Sequence, residues 1–217
     1  MEASRHLGAL VLAAGYSSRM GRFKPLLPFG RSSVIESAIE LLRQAGVGDI
    51  AAVVGYRAAE LQPLLNRLGV RCVLNPAYDR GMYSSVLAGF RSLPGDIAAC
   101  FLLPGDMPGV QSGTIRLLAD DYAIHQAPVT YPVAGGRRGH PPLIANTVFP
   151  AILDSDGAGG LKSVLAAYNS ASREVEVEDS GIHLDLDTPE QYARLSASRP
   201  AETPGPELNP SPKGKTS

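Results

Sequence analysis

Four nearly continuous apolar runs are separated by stretches of helical periodicity: "GALVLAAG" from Gly8, "DIAAVVGY" from Asp49, "VRCVLN" from Val70 and "IAACFLLPGDMP" from Ile97. A strand covered on one face alternates apolar and polar residues, whereas one covered on both faces is apolar throughout. Between the first two runs, "SSVIESAIELLRQAG" puts Ile35, Ala38, Ile39 and Leu42 on one helical face. Ser33 and Glu36 have capping-box spacing at its start, and Gly46 stops it. "AAELQPLLNRLG", "YSSVLAGFRSL" and "SGTIRLLADDYAIH" also read as helices, with Pro63 early in the first of them or kinking it. Strand and helix alternating four times predict βαβ crossovers and a mostly parallel sheet. In such sheets ligands sit beyond the carboxyl ends of the strands. The glycine loop after the first strand and the acidic turn after the fourth would both lie there.

The pattern loosens after Ala127. "APVTYPVAGGRRGHPPLIAN" reads as two strands joined by a basic glycine turn, and "GAGGLKSVLAAY" as a glycine-rich turn and a helix. "REVEVED" alternates as a strand does, and "GIHLDLDTPEQYARL" reads as a short strand, an acidic turn and a helix begun at Thr188-Pro189. The predicted organisation is one domain over residues 1–197, with a regular half at about 7–127 and a looser half at about 128–197. Residues 198–217 are rich in proline, serine and lysine, with little apolar surface to offset ordering entropy, and are expected to be disordered.

A formal net charge of -1 over 217 residues argues against a nucleic-acid surface or a basic membrane patch. No apolar run approaches the ~18 residues of a membrane span. Arg5 and His6 before "LGALVLAAG" have the charge-then-apolar order of an export signal. Glu2 and two interrupting glycines speak against that, and the run reads better as a buried strand. Cys72 and Cys100 stand alone among apolar neighbours and read as buried strand thiols. With no CxxC and no disulfide framework, a reducing cytoplasm is expected.

The first loop, "LVLAAGYSSRMGRFKPLLPFG", fits neither common phosphate motif. Five residues separate Gly15 from Gly21, which breaks GxGxxG, and Lys24 lies three beyond Gly21 where a P-loop needs it adjacent. The loop still offers small residues, serine hydroxyls and two cations, Arg19 and Lys24, and these suit a polyphosphate.

This stretch resembles the LAAGxSxRMGxxKxLLPxxG signature of the MobA-like nucleotidyltransferases, and within them is most similar to the molybdenum cofactor cytidylyltransferases. The resemblance continues, in order, through "NPAYDRGMYSSVLAGF", "LLPGDMPGV", "RRGHPPLI", "SDGAGGLKSVL" and "LDLDTPEQYARL", over roughly residues 8 to 196. It implies a three-layer α/β sandwich with a mostly parallel Rossmann-like sheet, as in nucleotide-diphospho-sugar transferases. It also implies Mg²⁺-dependent transfer of a nucleoside monophosphate from a nucleoside triphosphate, with pyrophosphate released. Alanine in "LAAG", where guanylyl-transferring relatives usually carry glycine, favours CTP. The implied acceptor is the terminal phosphate of a molybdopterin-type cofactor. A molybdoenzyme or its chaperone is a candidate partner, and the proline-rich tail a candidate contact for it.

By that resemblance Leu12, Ala13, Ala14 and Gly15 approach base and ribose through their backbone. Arg19 and Lys24 hold the triphosphate, and Asp106 binds Mg²⁺ at the end of the fourth strand. A hard cation takes carboxylate and phosphate oxygens, with waters completing the octahedron. Asp187 is either a second metal ligand or the cap of the following helix. Asn75, Gly81 and Ser85 are the expected nucleotide contacts in "NPAYDRGMYSSV". His140 is expected to bind acceptor rather than act as a base, since an ionised phosphate needs no deprotonation. His6, His125 and His183 look incidental. Phe23 and Tyr83 depart from the residues common in the family at those places, and leave acceptor and base identity open. Two alternatives remain: a nucleotidyltransferase for a sugar-1-phosphate or another small phosphate, and a non-catalytic nucleotide-binding maturation factor. A dehydrogenase ranks last, because the fingerprint spacing fails.

Overall fold

The computed structural model describes residues 6–197. Its elements follow the chain as β1 (Leu7–Ala13), β2 (Pro28–Phe29), β3 (Ser32–Ser33), α1 (Val34–Gln44), β4 (Asp49–Val54), α2 (Ala58–Arg67), β5 (Arg71–Leu74) and α3 (Met82–Arg91). Then come β6 (Ala99–Pro104), α4 (Ser112–His125), β7 (Val129–Ala134), β8 (Arg137–Arg138), β9 (Leu143–Ala145), α5 (Phe149–Asp154), α6 (Gly160–Ala166), β10 (Arg173–Glu176) and α7 (Pro189–Ala197). The main sheet runs β10-β7-β9-β6-β1-β4-β5, with β8 paired to β7. β5, β4, β1 and β6 are mutually parallel, and β9 is antiparallel to both of its neighbours. One sheet therefore passes through both halves of the sequence.

Alternation along each strand sorts side chains to two covered faces. Ala9, Val11 and Ala13 of β1, Ala52 and Val54 of β4, and Phe101 and Leu103 of β6 pack with Ile35, Ile39 and Leu42 of α1, Leu61 and Leu65 of α2, and Ile115 and Leu118 of α4. Leu10, Ala51, Cys100 and Leu102 face the other way, toward Val86 and Phe90 of α3, Ile152 of α5 and Leu165 of α6. This is the three-layer sandwich expected, and it explains why the strands read as unbroken apolar runs. A third, small cluster joins Met20, Leu27, Phe29 and Val34 to Leu186, with Tyr192 and Leu195 of α7 against it.

The capping box of α1 forms as the spacing predicts: Ser33 N donates to Glu36 Oε2 at 2.8 Å, and Glu36 N to Ser33 Oγ at 3.4 Å. Pro63 lies in the interior of α2, which continues past it. Cys100 is buried, and burial pushes its thiol pKa well up, but Cys72 is only half-buried on the edge strand. The short strand expected near Gly181 is instead a 3₁₀ turn, Ser180–His183. It crosses the end of the sheet rather than pairing in it: His140 N donates to Ile182 O at 2.9 Å, and Leu186 N to Asp106 O at 3.0 Å. The hairpin β2–β3 and helix α5 had no distinct sequence signal. Among the described residues no helix is long and apolar enough to cross a membrane. The expected disorder of 198–217 falls outside the described residues.

Asp179 fastens this crossing segment. Its buried carboxylate accepts from Gln111 N at 2.8 Å and Thr114 Oγ1 at 2.7 Å at the start of α4, and from Gly181 N at 2.9 Å. Asp179→Ala removes three bonds to a charged acceptor and should lower the unfolding free energy by about 2–3 kcal/mol. Asp179→Asn should fall between. Denaturant titration measures both, and a loss within error for the alanine variant would contradict this role.

Candidate active site

The loop after β1 folds back over the sheet's carboxyl edge. Gly105 N donates to Leu12 O at 2.9 Å and Tyr56 N to Ala14 O at 3.1 Å, so the turns after β6 and β4 are tied to the loop after β1. A Cβ on Gly105 would lie 2.9 Å from Leu12 O, so only glycine lets the acidic turn come this close to β1. Ser17 Oγ accepts from Lys24 N at 3.2 Å and closes the loop.

Beneath the loop lies a cavity of about 420 Å³. Leu12, Ala13, Ala14, Gly15 and Lys24 line it from the first loop, Gly81 and Ser85 from the start of α3, and Asp106 from the turn after β6. The structure thus brings most of the sequence-predicted nucleotide residues to one concavity. Tyr16, Ser17, Tyr78, Asp79 and Met82 also line it and were not singled out as contacts. Tyr16 packs against Tyr56 and Tyr78, with ring centroids 5.1 and 5.4 Å apart. Nothing local marks such a cluster, since its rings come from three separate strand ends. Arg19 lies in the 3₁₀ turn Ser18–Met20, and its side chain is outside the described residues.

Asn75 requires a correction. It is buried, is absent from the cavity wall, and spends its amide on the fold. Nδ2 donates to Ser84 Oγ at 2.8 Å and Ser85 Oγ at 3.0 Å, while Oδ1 accepts from Ala77 N at 3.0 Å. Its effect on a ligand would pass through Ser85.

Lys24 is buried, and its Nζ donates to Asp106 Oδ2 at 3.1 Å and Asp187 Oδ1 at 2.6 Å. Burial opposes its charge, but the hydrogen bonds and charges of Asp187 and Asp106 outweigh that and raise its pKa. Thr188 caps the following helix: its Oγ1 accepts from Gln191 N at 3.3 Å, and Gln191 Oε1 accepts from Thr188 N at 2.8 Å. Leu186, fully buried in the third cluster, seats the chain so that Asp187 meets Lys24.

A second cavity of about 550 Å³ adjoins the first and shares Leu12, Met82 and Pro104 with it. It is lined by Tyr83, Tyr131, Arg138, His140 and Lys162, with glycines 159 and 160. Tyr83 donates from its hydroxyl to Ile152 O at 2.7 Å, and its ring lies against Gly157. Arg138 stacks 4.4 Å from the Tyr131 ring centroid and pairs with Glu174 at 2.6 Å. His140, the expected acceptor residue, is on this wall. Surrounding protein disfavours its charged form and lowers its pKa, although the carboxylates of Asp106 and Asp185 act in the other direction.

Asp106 and Asp187 meet the test for a hard divalent cation, as two partly exposed carboxylates converging on one point beside a cavity suited to phosphate. Among the described residues no group of three or more His, Cys, Asp or Glu could hold a metal ion. A cation here would need further oxygens from ligand and water.

A family model described as "MobA-like NTP transferase domain" matches residues 9–174. A molybdenum cofactor cytidylyltransferase of Escherichia coli is 29% identical over 187 residues, covering 86% of this chain and 93% of that protein. A nicotine blue oxidoreductase of Paenarthrobacter nicotinovorans is 30% identical over 198 residues, covering 86% of this chain and 94% of that protein. Rv0371c of Mycobacterium tuberculosis, 26% identical, superposes with a TM-score of 0.79, over 90% of this chain and 99% of that one. A structure of Rv0371c in complex with manganese gives 0.73, over 90% and 100%.

Two predictions follow from the geometry. His140 should be neutral at pH 7, with an NMR titration midpoint below the ordinary 6.5. The unfolded chain then binds that proton more readily, so this group's contribution to stability falls as pH drops below 6.5. A midpoint at or above the ordinary value would contradict the assignment. Asn75→Ala should cost about 1–3 kcal/mol in denaturant unfolding, because it removes the amide that pairs the buried Ser85 hydroxyl and the Ala77 backbone N–H.

Proposed function

From the premise that this chain belongs to the MobA-like NTP transferases, we propose that it transfers CMP from CTP to the terminal phosphate of a molybdopterin-type acceptor. The observation that carries this reading is Lys24 held between Asp106 and Asp187 at the edge of the loop-covered cavity. The nucleotide lies in the first cavity, its base and ribose against the backbone of Leu12–Gly15 and its phosphates toward Lys24. The acceptor enters through the second cavity, past His140 and the Tyr131–Arg138 pair. An acceptor phosphate oxygen attacks the α-phosphorus in line. The new P–O bond forms as the bond to pyrophosphate breaks, and the electron pair leaves with pyrophosphate.

The protein's share of catalysis is positioning and charge stabilisation. Lys24 offsets charge gathering on the α-phosphate and the leaving group. His140, neutral, donates one hydrogen bond to the acceptor without taking a proton from it. Asp106 and Asp187 would hold Mg²⁺, which would supply positive charge to neutralise the phosphates. The manganese complex of Rv0371c supports a divalent cation for a relative of this fold. The likeness to the Escherichia coli cytidylyltransferase and the alanine form of "LAAG" support CTP and the pterin acceptor. A relative of nearly equal identity carries an oxidoreductase name, so product chemistry is the discriminating test.

Pyrophosphate release should require both CTP and acceptor, and Asp106→Ala should reduce it at least about 100-fold. CTP at about 100 times its dissociation constant should stabilise the fold by about 2.7 kcal/mol. Thermal shifts with CTP, GTP, ATP and UTP read the base preference. Turnover by Asp106→Ala at the wild-type rate would overturn the metal role, and a shift selective for another nucleotide would overturn CTP.

A further inference from the structure

The Nζ of Lys24 lies 3.1 Å from Asp106 Oδ2 and 2.6 Å from Asp187 Oδ1, with the lysine side chain only 9% exposed. A magnesium ion sits about 2.1 Å from its oxygens. A cation bridging these same carboxylates would fall in the gap that the ammonium fills, and two positive centres would then face each other at close range. We propose that Lys24 is the resident counter-ion of this carboxylate pair and must leave it before a divalent cation binds, so that metal and triphosphate enter as one unit. The proposal rests on reading the first cavity as a triphosphate site.

Three observations support it. A metal arriving alone must displace an ammonium that both carboxylates already hold at hydrogen-bond distance. Among the described residues the protein offers no cluster of three or more metal-ligating side chains, so a metal alone would gain only two carboxylates. A triphosphate changes both sides of that balance. Its oxygens complete the cation's shell and give Nζ a new anionic partner along the same wall, where Lys24 and Asp106 both line the cavity. The two bindings are then positively coupled, and by linkage each raises the affinity of the other by the same factor.

Manganese binding to the full chain, read from the EPR signal of free Mn²⁺, tests this without turnover. It is measured with and without CTP, with metal–nucleotide binding in solution subtracted. Wild type alone should bind Mn²⁺ weakly, and CTP should tighten that binding at least about 10-fold. Lys24→Met and Lys24→Gln, with folding checked by circular dichroism, should bind Mn²⁺ alone at least about 10-fold more tightly than wild type and lose most of the coupling. Unchanged metal affinity in both variants, with CTP bound by wild type, overturns the counter-ion and leaves the triphosphate reading standing. Tighter metal binding in the variants, with no CTP binding to any form, keeps the counter-ion and overturns the triphosphate reading. If neither variant folds, wild type decides: metal binding as tight without CTP as with it overturns the proposal.

Discussion

A charged lysine side chain taken out of water must be answered by carboxylates, and the candidate site is organised around that demand. Lys24 is 7% exposed, and the partners that keep it ionised lie 82 and 163 residues further along the chain. Breaking a fully buried pair costs about 3–5 kcal/mol. Here the carboxylates retain some contact with solvent, which makes the loss smaller. The pairing still obliges three distant segments to meet. Gly105 lets the acidic turn close on β1, Leu186 seats the C-terminal segment in the third cluster, and Gly181 passes so near Gly109 that a Cβ would sit 2.1 Å from its carbonyl oxygen.

Local chemistry was legible in the sequence, and long-range partnership was not. The β1, β4 and β6 runs showed themselves because each is buried on both faces, and the capping box of α1 because its partners are three residues apart. The antiparallel insertion of β9 between β6 and β7 had no such mark, since three apolar residues do not reveal which strand they pair with. Asp187 shows the limit most clearly. Spacing allowed either a cap or a metal ligand, because Asp and Thr both cap helices. Thr188 and Gln191 take the cap, and Lys24, which no local pattern connects to Asp187, claims the carboxylate. Asn75 was misplaced for the same reason. A polar residue in a ligand-facing motif looks like a contact until its amide is found bonded to the motif's own serines.

Resemblance reached further than pattern because it carries tertiary information that a single sequence does not display. It singled out Asp106 and His140, which line the walls of two adjoining cavities. It could not anticipate Tyr83, whose ring against Gly157 and hydroxyl on Ile152 O tie the helix that opens the nucleotide cavity to the glycine turn of the neighbouring one. That tie places a departure from the family pattern on the wall of the second cavity, apart from Lys24 and Asp106 on the wall of the first.

The shared wall of the two cavities explains why charge is distributed as it is. Leu12, Met82 and Pro104 border both, so the reacting phosphates of donor and acceptor would meet near these apolar groups. Two anions brought together there repel more strongly than in water. Among the described residues, the first wall contributes Lys24 as its cation, and the second contributes Arg138 and Lys162, with Arg138 already engaged by Glu174. A protonated His140 would ease the repulsion but would need a pKa above the working pH, and its surroundings push the other way. Among the described lining residues the compensating charge then rests with Lys24 on the first wall and Lys162 on the second. On the proposed reading, a lysine that guards two carboxylates until a phosphate draws it away would deliver that charge where the anions converge, and would leave the carboxylates ready for a second cation.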